Sequence, residues 1–316
     1  MTLRIVDVSE PASDLGEALV ADPVVAVGSI GQASEFWLQR ATFTLTEDDT
    51  DDRRVISVGS VDAVLGDLVE RVDRWPIAAA TCDDVLRSVD PVGPALPGVM
   101  TESLAYSTLQ AGPEFARWLA ERGPATMPHI ADPVQAHRDG DTLRIAFNRP
   151  QRHNAFSTDA RAALLEALTV AQLDDSVDQV VLTGNGPSFC SGGDLAEFGT
   201  FSSPAGAHLA RTRYSPALAL DALTTRLGRA CRAEVHGRVL GSGLEMAAFC
   251  GQVEAAWDSV FALPELSLGL IPGAGGTVSV TRRIGRWRTA YLVLSGYTID
   301  TDTAVAWGLV DAVRSL

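Results

Sequence analysis

The chain has 316 residues, 40 acidic and 25 basic, with a formal net charge of −15, and every one of its basic residues is arginine. Without lysine there is no Schiff-base nucleophile for a pyridoxal cofactor or a ketone, no P-loop lysine for a nucleotide phosphate and no kinase-type lysine. The acid excess also argues against nucleic acid as a partner, because neutralising phosphates needs a basic face.

In chain order, the sequence first predicts strands at Leu3–Val8, Val24–Val27, Ala41–Leu45 and Arg54–Val58, with Glu47–Arg54 as a charged turn. Val61–Val72 is an amphipathic helix, since Val64, Leu65, Leu68, Val69 and Val72 share one face. Ile77–Val89, Val99–Gln110 and Pro113–Ala120 also read as helices, and no chemical motif stands out in this part. Gly123 to Pro128 is punctuated by glycine and proline and reads as a linker. Before it the chain is strongly acidic: residues 1–130 hold 21 acids and 9 arginines, against 19 acids and 16 arginines in 131–316. The expected organisation is an acidic region 1–123, a linker 124–140 and a core 141–316.

The core alternates strand and helix signals. Thr142–Phe147 reads as a strand, and Ser157-Thr158-Asp159 offers cap chemistry for a helix carrying Leu164, Leu165, Leu168, Ala171 and Gln172. Strands follow at Gln179–Thr183, Cys231–Val239 and Val253–Trp257, and helices at Leu244–Cys250 and from the loop Pro272–Gly276 to about Leu294. Strands separated by helices predict an α/β fold with a helix-covered sheet. Four cysteines (Cys82, Cys190, Cys231, Cys250) without CxxC spacing predict neither a disulfide framework nor a zinc site, and a reducing cytoplasm. The start of the chain shows no signal peptide, and no apolar run approaches the ~18 residues of a membrane span.

Three glycine-rich turns attract attention: Phe189 to Leu195, Gly241 to Glu245 and Pro272 to Gly276. Each sets backbone N–H groups beside a helix start. None is a dinucleotide fingerprint, because Met246 and Val278 stand where a third glycine belongs, and Leu240 excludes a nucleophile elbow. Glycine turns are common wherever α/β chains need tight corners.

With the residues between them, these turns resemble the crotonase (enoyl-CoA hydratase/isomerase) superfamily. The resemblance runs from about Thr142 to Val313. It is carried in order by Asn148-Arg149-Pro150, Asn154-Ala155-Phe156, FCSGGDL (189–195), Val235-His236-Gly237 with GSGLEMA (241–247), ALPE (262–265), GLIPGAGGT (269–277), and Ala304 with Trp307 to Val310. It implies a crotonase-like fold of repeated ββα units with an additional α/β region in front.

The resemblance implies an acyl-CoA thioester substrate, with coenzyme A entering only as part of it and no other cofactor and no metal. The backbone N–H groups of Gly193 and Ser242 would form an oxyanion hole for the thioester oxygen. Both family acids are glutamate here. Glu245 would help deprotonate the water added at Cβ, and Glu265 would deliver the proton to Cα. Retention of both favours hydration over double-bond isomerisation. Coenzyme and thioester contacts are expected from Arg152, His153, Ala155, Gly192, Asp194, Leu195, Gly241 and Pro264, with arginine pairing with phosphate. Ala196 stands where many relatives place a lysine. A homotrimer or hexamer is implied, with no nucleic acid and no membrane.

Other readings stay open. The pocket could serve isomerase or other acyl-CoA chemistry, or bind acyl-CoA without turnover. Cys190 with His236 could form a thioesterase pair, although buried cysteine is usually inert. The five histidines (129, 137, 153, 208, 236) lack metal spacing, and Arg282, Arg283, Arg286 and Arg288 suggest a solvated helix face or a subunit contact. Family members continue beyond the segment matching Trp307–Val310 through helices that cover the acyl pocket. Here Val61–Ala80 and Thr101–Leu119 resemble those helices. Two readings of the front follow: a rearranged chain with tail-like helices ahead of the core and 1–60 as a degenerate lobe, or an unrelated domain. Packing of 61–123 away from the Glu245/Glu265 pocket and from the subunit interface would exclude the first.

Overall fold

Valines that alternate between two buried faces set the first layer. The computed structural model describes residues 2–10, 22–128, 130–201 and 203–314; His129, one of the five histidines, lies outside them. Strands β1 (Arg4–Asp7) and β2 (Val24–Val27), helix α1 (Glu35–Arg40), and strands β3 (Phe43–Thr46) and β4 (Val55–Ser57) build a four-stranded parallel sheet in the order β1-β2-β3-β4. Val25, Phe43, Leu45 and Ile56 face the main core, while Val24, Ala26 and Val55 face a smaller cluster with Trp37 and Leu38. This is the two-residue period of a strand buried on both sides. The third strand begins two residues later than Ala41, because Ala41 ends α1.

Four helices follow: α2 (Val61–Arg74), α3 (Pro76–Ser88), α4 (Ala95–Gln110) and α5 (Pro113–Arg122). Ser60 caps α2 by accepting from the Ala63 N–H at 3.3 Å, and Val64, Leu68 and Val72 form its buried stripe. The α3 start is capped from a distance. The buried Glu114 carboxylate of α5 accepts the N–H groups of Ile77 at 2.8 Å and Ala78 at 2.9 Å.

Next come β5 (Val134–Asp139), β6 (Thr142–Phe147), α6 (Thr158–Leu173), β7 (Gln179–Gly184), α7 (Pro204–Arg213), α8 (Pro216–Leu227), β8 (Cys231–Val235), β9 (Arg238–Leu240), α9 (Ser242–Phe249), β10 (Gln252–Ala256), β11 (Val260–Ala262), α10 (Gly276–Ser295), β12 (Ile299–Asp300), α11 (Thr301–Trp307) and β13 (Ala312–Arg314). A six-stranded sheet has the order β13-β10-β8-β7-β6-β5, and a three-stranded sheet the order β12-β11-β9. Successive units β8-β9-α9 and β10-β11-α10 send one strand to each sheet before returning through a helix. Isolated bridges Phe156–Gly193 and Cys190–Val239 place earlier loops beside the smaller sheet.

Several expectations shift. The segment read as linker to residue 140 contains β5, which pairs antiparallel with β6 from Val134–Phe147 to Asp139–Thr142 and closes the sheet edge. The strand expected over Cys231–Val239 breaks at His236-Gly237. Gly237 has φ +55°, and a Cβ there would lie 2.1 Å from the Pro187 carbonyl oxygen. Helix α9 starts at Ser242 rather than Leu244. Helix α10 is interrupted at Gly285, whose φ of 82° and ψ of 159° are not helical.

The arginines expected on a solvated face or at a subunit contact instead bind this chain. Arg286 donates to the carbonyls of Ala41, at 3.1 Å, and Gln39. Arg282 pairs with Asp221 and donates to the Gly93 carbonyl; Arg283 donates to those of Ala248 and Cys250. Arg71 of α2 reaches the Leu294 carbonyl at 3.0 Å, and Phe43 meets Tyr291 edge-on at 5.6 Å. One apolar cluster therefore runs from Val25 and Phe43 through α2–α4 to Leu294 and Val310.

Arg286→Ala removes two donors to β3-side carbonyls. A loss of about 1–3 kcal/mol in unfolding free energy is expected. Hydrogen exchange should quicken in β2 and β3 and stay slow in β6–β8. Unchanged exchange in β2 and β3 would contradict this docking.

Candidate active site

The turn that opens α10 organises the site. The first N–H groups of a helix lack partners within it and attract negative charge. Here the Glu245 carboxylate, from the first turn of α9, accepts the N–H groups of Ala274 and Gly276, both at 2.7 Å. Glu102, from α4, accepts the Gly275 N–H at 2.7 Å, the Thr277 N–H at 2.9 Å and the Thr277 hydroxyl at 2.7 Å. Only glycine fits at 276, since a Cβ would come within 2.5 Å of Glu245 Cγ.

Glu265 begins the 3₁₀ turn Glu265–Leu268 that follows Pro264. Its Oε1 packs against Gly241, where a Cβ would lie 2.4 Å away, and its buried Oε2 has no hydrogen-bond partner among the described residues. The three carboxyls line one cavity of about 180 Å³ with Gly193, Ser242, Tyr106, Arg161 and Arg211.

Burial raises all three. It takes Glu245 to about 7, against the N–H donors of Ala274, Gly276 and Gly273. Burial, with the Glu245 charge nearby, takes Glu102 to about 8. Glu265 rises well above the usual range through burial and then Glu245. Glu245 is thus the carboxyl whose surroundings best support the ionised form, and Glu265 the one whose surroundings oppose it.

Gly193 and Ser242 are distant in sequence but line the same cavity, and their turns touch: a Cβ on Gly241 would lie 3.5 Å from Gly192 Cα. The Phe156–Gly193 bridge uses the Phe156 N–H to the Gly192 carbonyl and the Asp194 N–H to the Phe156 carbonyl, so the Gly193 N–H is outside it. Ser242 is the first residue of α9, and its N–H has no carbonyl four residues back to bind. Gly192, at φ +94°, and Gly241, at φ +48°, make the two turns that present these groups.

The remaining expected residues lie beside this cavity, in the wall that supports it. Arg152 does not present a free guanidinium: it donates to Asp194 at 2.8 Å, as does the buried Arg149. Burial would raise Asp194, but Arg149, the Ala196 N–H and Arg152 outweigh it and hold the carboxyl low. His153 Nδ1 lies 2.9 Å from Ser188 Oγ, and Ala155 accepts from Arg149. His153 and Asn154 both have positive φ, and Asn154 stabilises the bend by bonding the backbone of Arg149, Asn185 and Ser188. Leu195 is exposed, and its carbonyl takes Arg122 at 2.5 Å. The Pro264 carbonyl accepts the Ser267 N–H.

Cys190 is fully buried and its thiol is pushed up to about 12 by burial, which leaves no thiolate for the thioesterase reading. Glu102, Tyr106, Arg161 and Arg211 were not singled out by sequence reasoning. For Glu102 and Tyr106 a weak signal was present: with Val99 and Ser103 they fall at helical spacing on one face.

A family model described as enoyl-CoA hydratase/isomerase matches residues 138–316. The chain belongs to that family, within the crotonase superfamily, and is an enzyme of the hydratase–lyase type. It is 35% identical over 176 residues to the 2,3-dehydroadipyl-CoA hydratase of Escherichia coli, covering 56% of this chain and 67% of that protein. It is 33% identical over 171 residues to the mitochondrial enoyl-CoA hydratase of Pongo abelii, covering 54% and 56%. Among solved structures, the enoyl-CoA hydratase of Mycobacterium smegmatis superposes with a TM-score of 0.51 at 29% identity, covering 58% of this chain and 70% of that one.

Carboxyls raised by burial keep their protons in the folded chain after the unfolded chain, near the ordinary ~4.3, has released them. Their contribution is therefore full at low pH and is lost as pH rises toward 7 and 8. Urea midpoints should fall from about pH 5 to about pH 8.5, a window above that of the carboxylates held low. Glu102→Gln should flatten that fall, and an unchanged slope would contradict a buried, late-titrating Glu102.

Proposed function

We propose that this chain adds water to the double bond of a trans-2-enoyl-CoA thioester. The observation that carries the reading is a pair of buried carboxyls in one cavity, Glu245 bound by two backbone N–H groups and Glu265 with an oxygen unpartnered among the described residues, together with the backbone donors of Gly193 and Ser242.

Water attacks Cβ while the ionised Glu245 takes its proton. A C–O bond forms, the π electrons move toward the carbonyl, and negative charge appears on the thioester oxygen. The N–H groups of Gly193 and Ser242 meet that oxygen, and the α9 helix start adds its positive end. Glu265 then gives its proton to Cα, which yields the 3-hydroxyacyl thioester. Glu245 ends protonated and Glu265 ionised, and proton exchange with solvent restores the pair. The cycle balances with side chains, backbone groups and water alone, so as written it needs no cofactor beyond the coenzyme A of the substrate.

The pantetheine arm is placed along Gly192 to Leu195, over a wall stiffened by the Arg149–Asp194–Arg152 pairing. A homotrimer or hexamer in the cytoplasm belongs to the same proposal; no helix among the described residues is long and apolar enough to cross a membrane. The front is read as the rearranged one: α4 lines the cavity, and α2–α4 pack on α10, which supports a covering role for tail-like helices.

Loss of enoyl-thioester absorbance with crotonyl-CoA tests the reaction. Glu245→Gln and Glu265→Gln should each lower kcat by about 10²–10⁴-fold with substrate binding retained. Wild-type binding without turnover would overturn the assignment in favour of a binding protein. The pH profile is a second check. The base must be ionised, so kcat/KM should fall as pH drops through about 7. Glu265 must be protonated, so a second fall belongs at higher pH. Activity that stays flat down to about pH 5 would exclude Glu245 as the base.

A further inference from the structure

The cavity has a cationic wall that the proposed hydration does not use. Arg211, on α7, lines it and is largely buried. Its guanidinium donates to Ser103 Oγ at 3.2 Å, the Ser103 carbonyl at 3.3 Å, Gln110 Oε1 at 3.0 Å and Ser107 Oγ, and stacks on the Tyr106 ring at 4.5 Å. Every one of these partners is neutral. His208 Nδ1 shares the same Ser103 hydroxyl at 3.0 Å.

Arg161, on α6, lines the same cavity. Among the described residues its guanidinium has no hydrogen-bond or ion-pair partner. Glu197 is the carboxylate that acts on it, and Glu197 Oε2 already accepts the Thr158 N–H at 2.8 Å and hydroxyl at 2.9 Å. Arg161 and Arg211 are close enough to repel each other, while Tyr106 and Glu102, on the same helix as the Ser103 that Arg211 binds, favour the Arg211 charge. Two desolvated like charges without a direct counter-ion are costly, and an anion between them relieves both.

The identity of that anion follows from room and from charge. A space of about 180 Å³ accepts an acyl group. It is below the ~300–1,000 Å³ of pockets that enclose larger ligands, so the nucleotide phosphates of coenzyme A lie outside it. We propose that the acyl group carries a terminal carboxylate bound by Arg161 and Arg211, so that the substrate class is the coenzyme A monothioester of a short dicarboxylic acid. This rests on the hydratase reading for which end of the acyl group meets Glu245 and Glu265. The ionised Glu245 repels a free carboxylate, so the arginine wall also sets the direction in which the acyl group lies.

Binding of saturated thioesters, which cannot be hydrated, tests the wall separately from turnover. Calorimetry would compare succinyl-, glutaryl- and adipyl-CoA with butyryl-, pentanoyl- and hexanoyl-CoA. At one chain length or more, the dicarboxylic member should bind about 10-fold tighter than its neutral partner, as expected for a charge-assisted pair. Arg161→Gln, which breaks no hydrogen bond or ion pair among the described residues, should remove most of that preference. Arg211→Gln should do the same where it folds. No preference at any length in the wild type would overturn the proposal. So would an Arg161→Gln variant that weakens both members of each pair equally, which would place Arg161 on the coenzyme phosphates. Failure of hydration with a preserved carboxylate preference would count against the catalytic reading alone.

Discussion

The site depends on four consecutive backbone N–H groups, those of Ala274, Gly275, Gly276 and Thr277, being held by two buried carboxylates. A helix start carries partial positive charge and unpaired donors, and both are satisfied at once by an acid. One of the acids comes from α9, thirty-odd residues away in sequence, and the other from α4, 173 residues from Gly275. The turn therefore fixes the catalytic glutamate candidate and fastens the front of the chain to the core with the same groups. It also explains the glycines. Gly275 sits at φ +98° with Phe249 and Ala217 where a Cβ would be, and Gly276 leaves space for the Glu245 side chain.

Crowding three carboxyls around this turn separates their proton affinities. Donors favour the ionised form, apolar burial the neutral one, and each ionised neighbour raises the next. Glu245 has two direct N–H donors and releases its proton first; Glu102 feels that charge and releases later. Glu265, with one oxygen unpartnered among the described residues, holds on. In the proposed hydration, the acid and base roles follow from which of Glu245 and Glu265 the helix start faces, with no difference in side-chain chemistry required. The order also limits how many of these crowded carboxyls are ionised at once, in a cavity that Arg161 and Arg211 line as well.

Legibility in the sequence divided along the range of the interactions. The strands Val24–Val27 and Thr142–Phe147 were visible because their burial is written in consecutive residues. The glycine turns and the acids at 245 and 265 were visible because the motif residues lie within a few positions of each other, and the family match spans them. Glu102 and Glu114 were not legible as caps, since each binds N–H groups 36 or more residues away. Strand β5 was hidden by polarity. As an exposed edge strand, His137, Arg138 and Asp139 give it the composition of a linker. The break at Gly237 depends on the Pro187 carbonyl, fifty residues earlier, and has no local signature beyond the glycine itself.

The absence of lysine acquires a structural meaning from the way the front is attached. A guanidinium fork can reach several carbonyls in fixed geometry, whereas an ammonium is a single point of charge. Arg286 spans the carbonyls of Gln39 and Ala41, Arg283 those of Ala248 and Cys250 together with Asp311, and Arg282 joins Asp221 to the Gly93 carbonyl. Arg288, buried beside Trp307, is opposed by the Arg53 charge and supported by those of Asp52 and Asp51. The acidic front and the arginines of α10 are thus two sides of one internal interface. Across that interface the forks run both ways: Arg286 and Arg282 of the core take the front carbonyls of Gln39, Ala41 and Gly93, while Arg71 and Arg122 of the front take the core carbonyls of Leu294, Leu195 and Phe198.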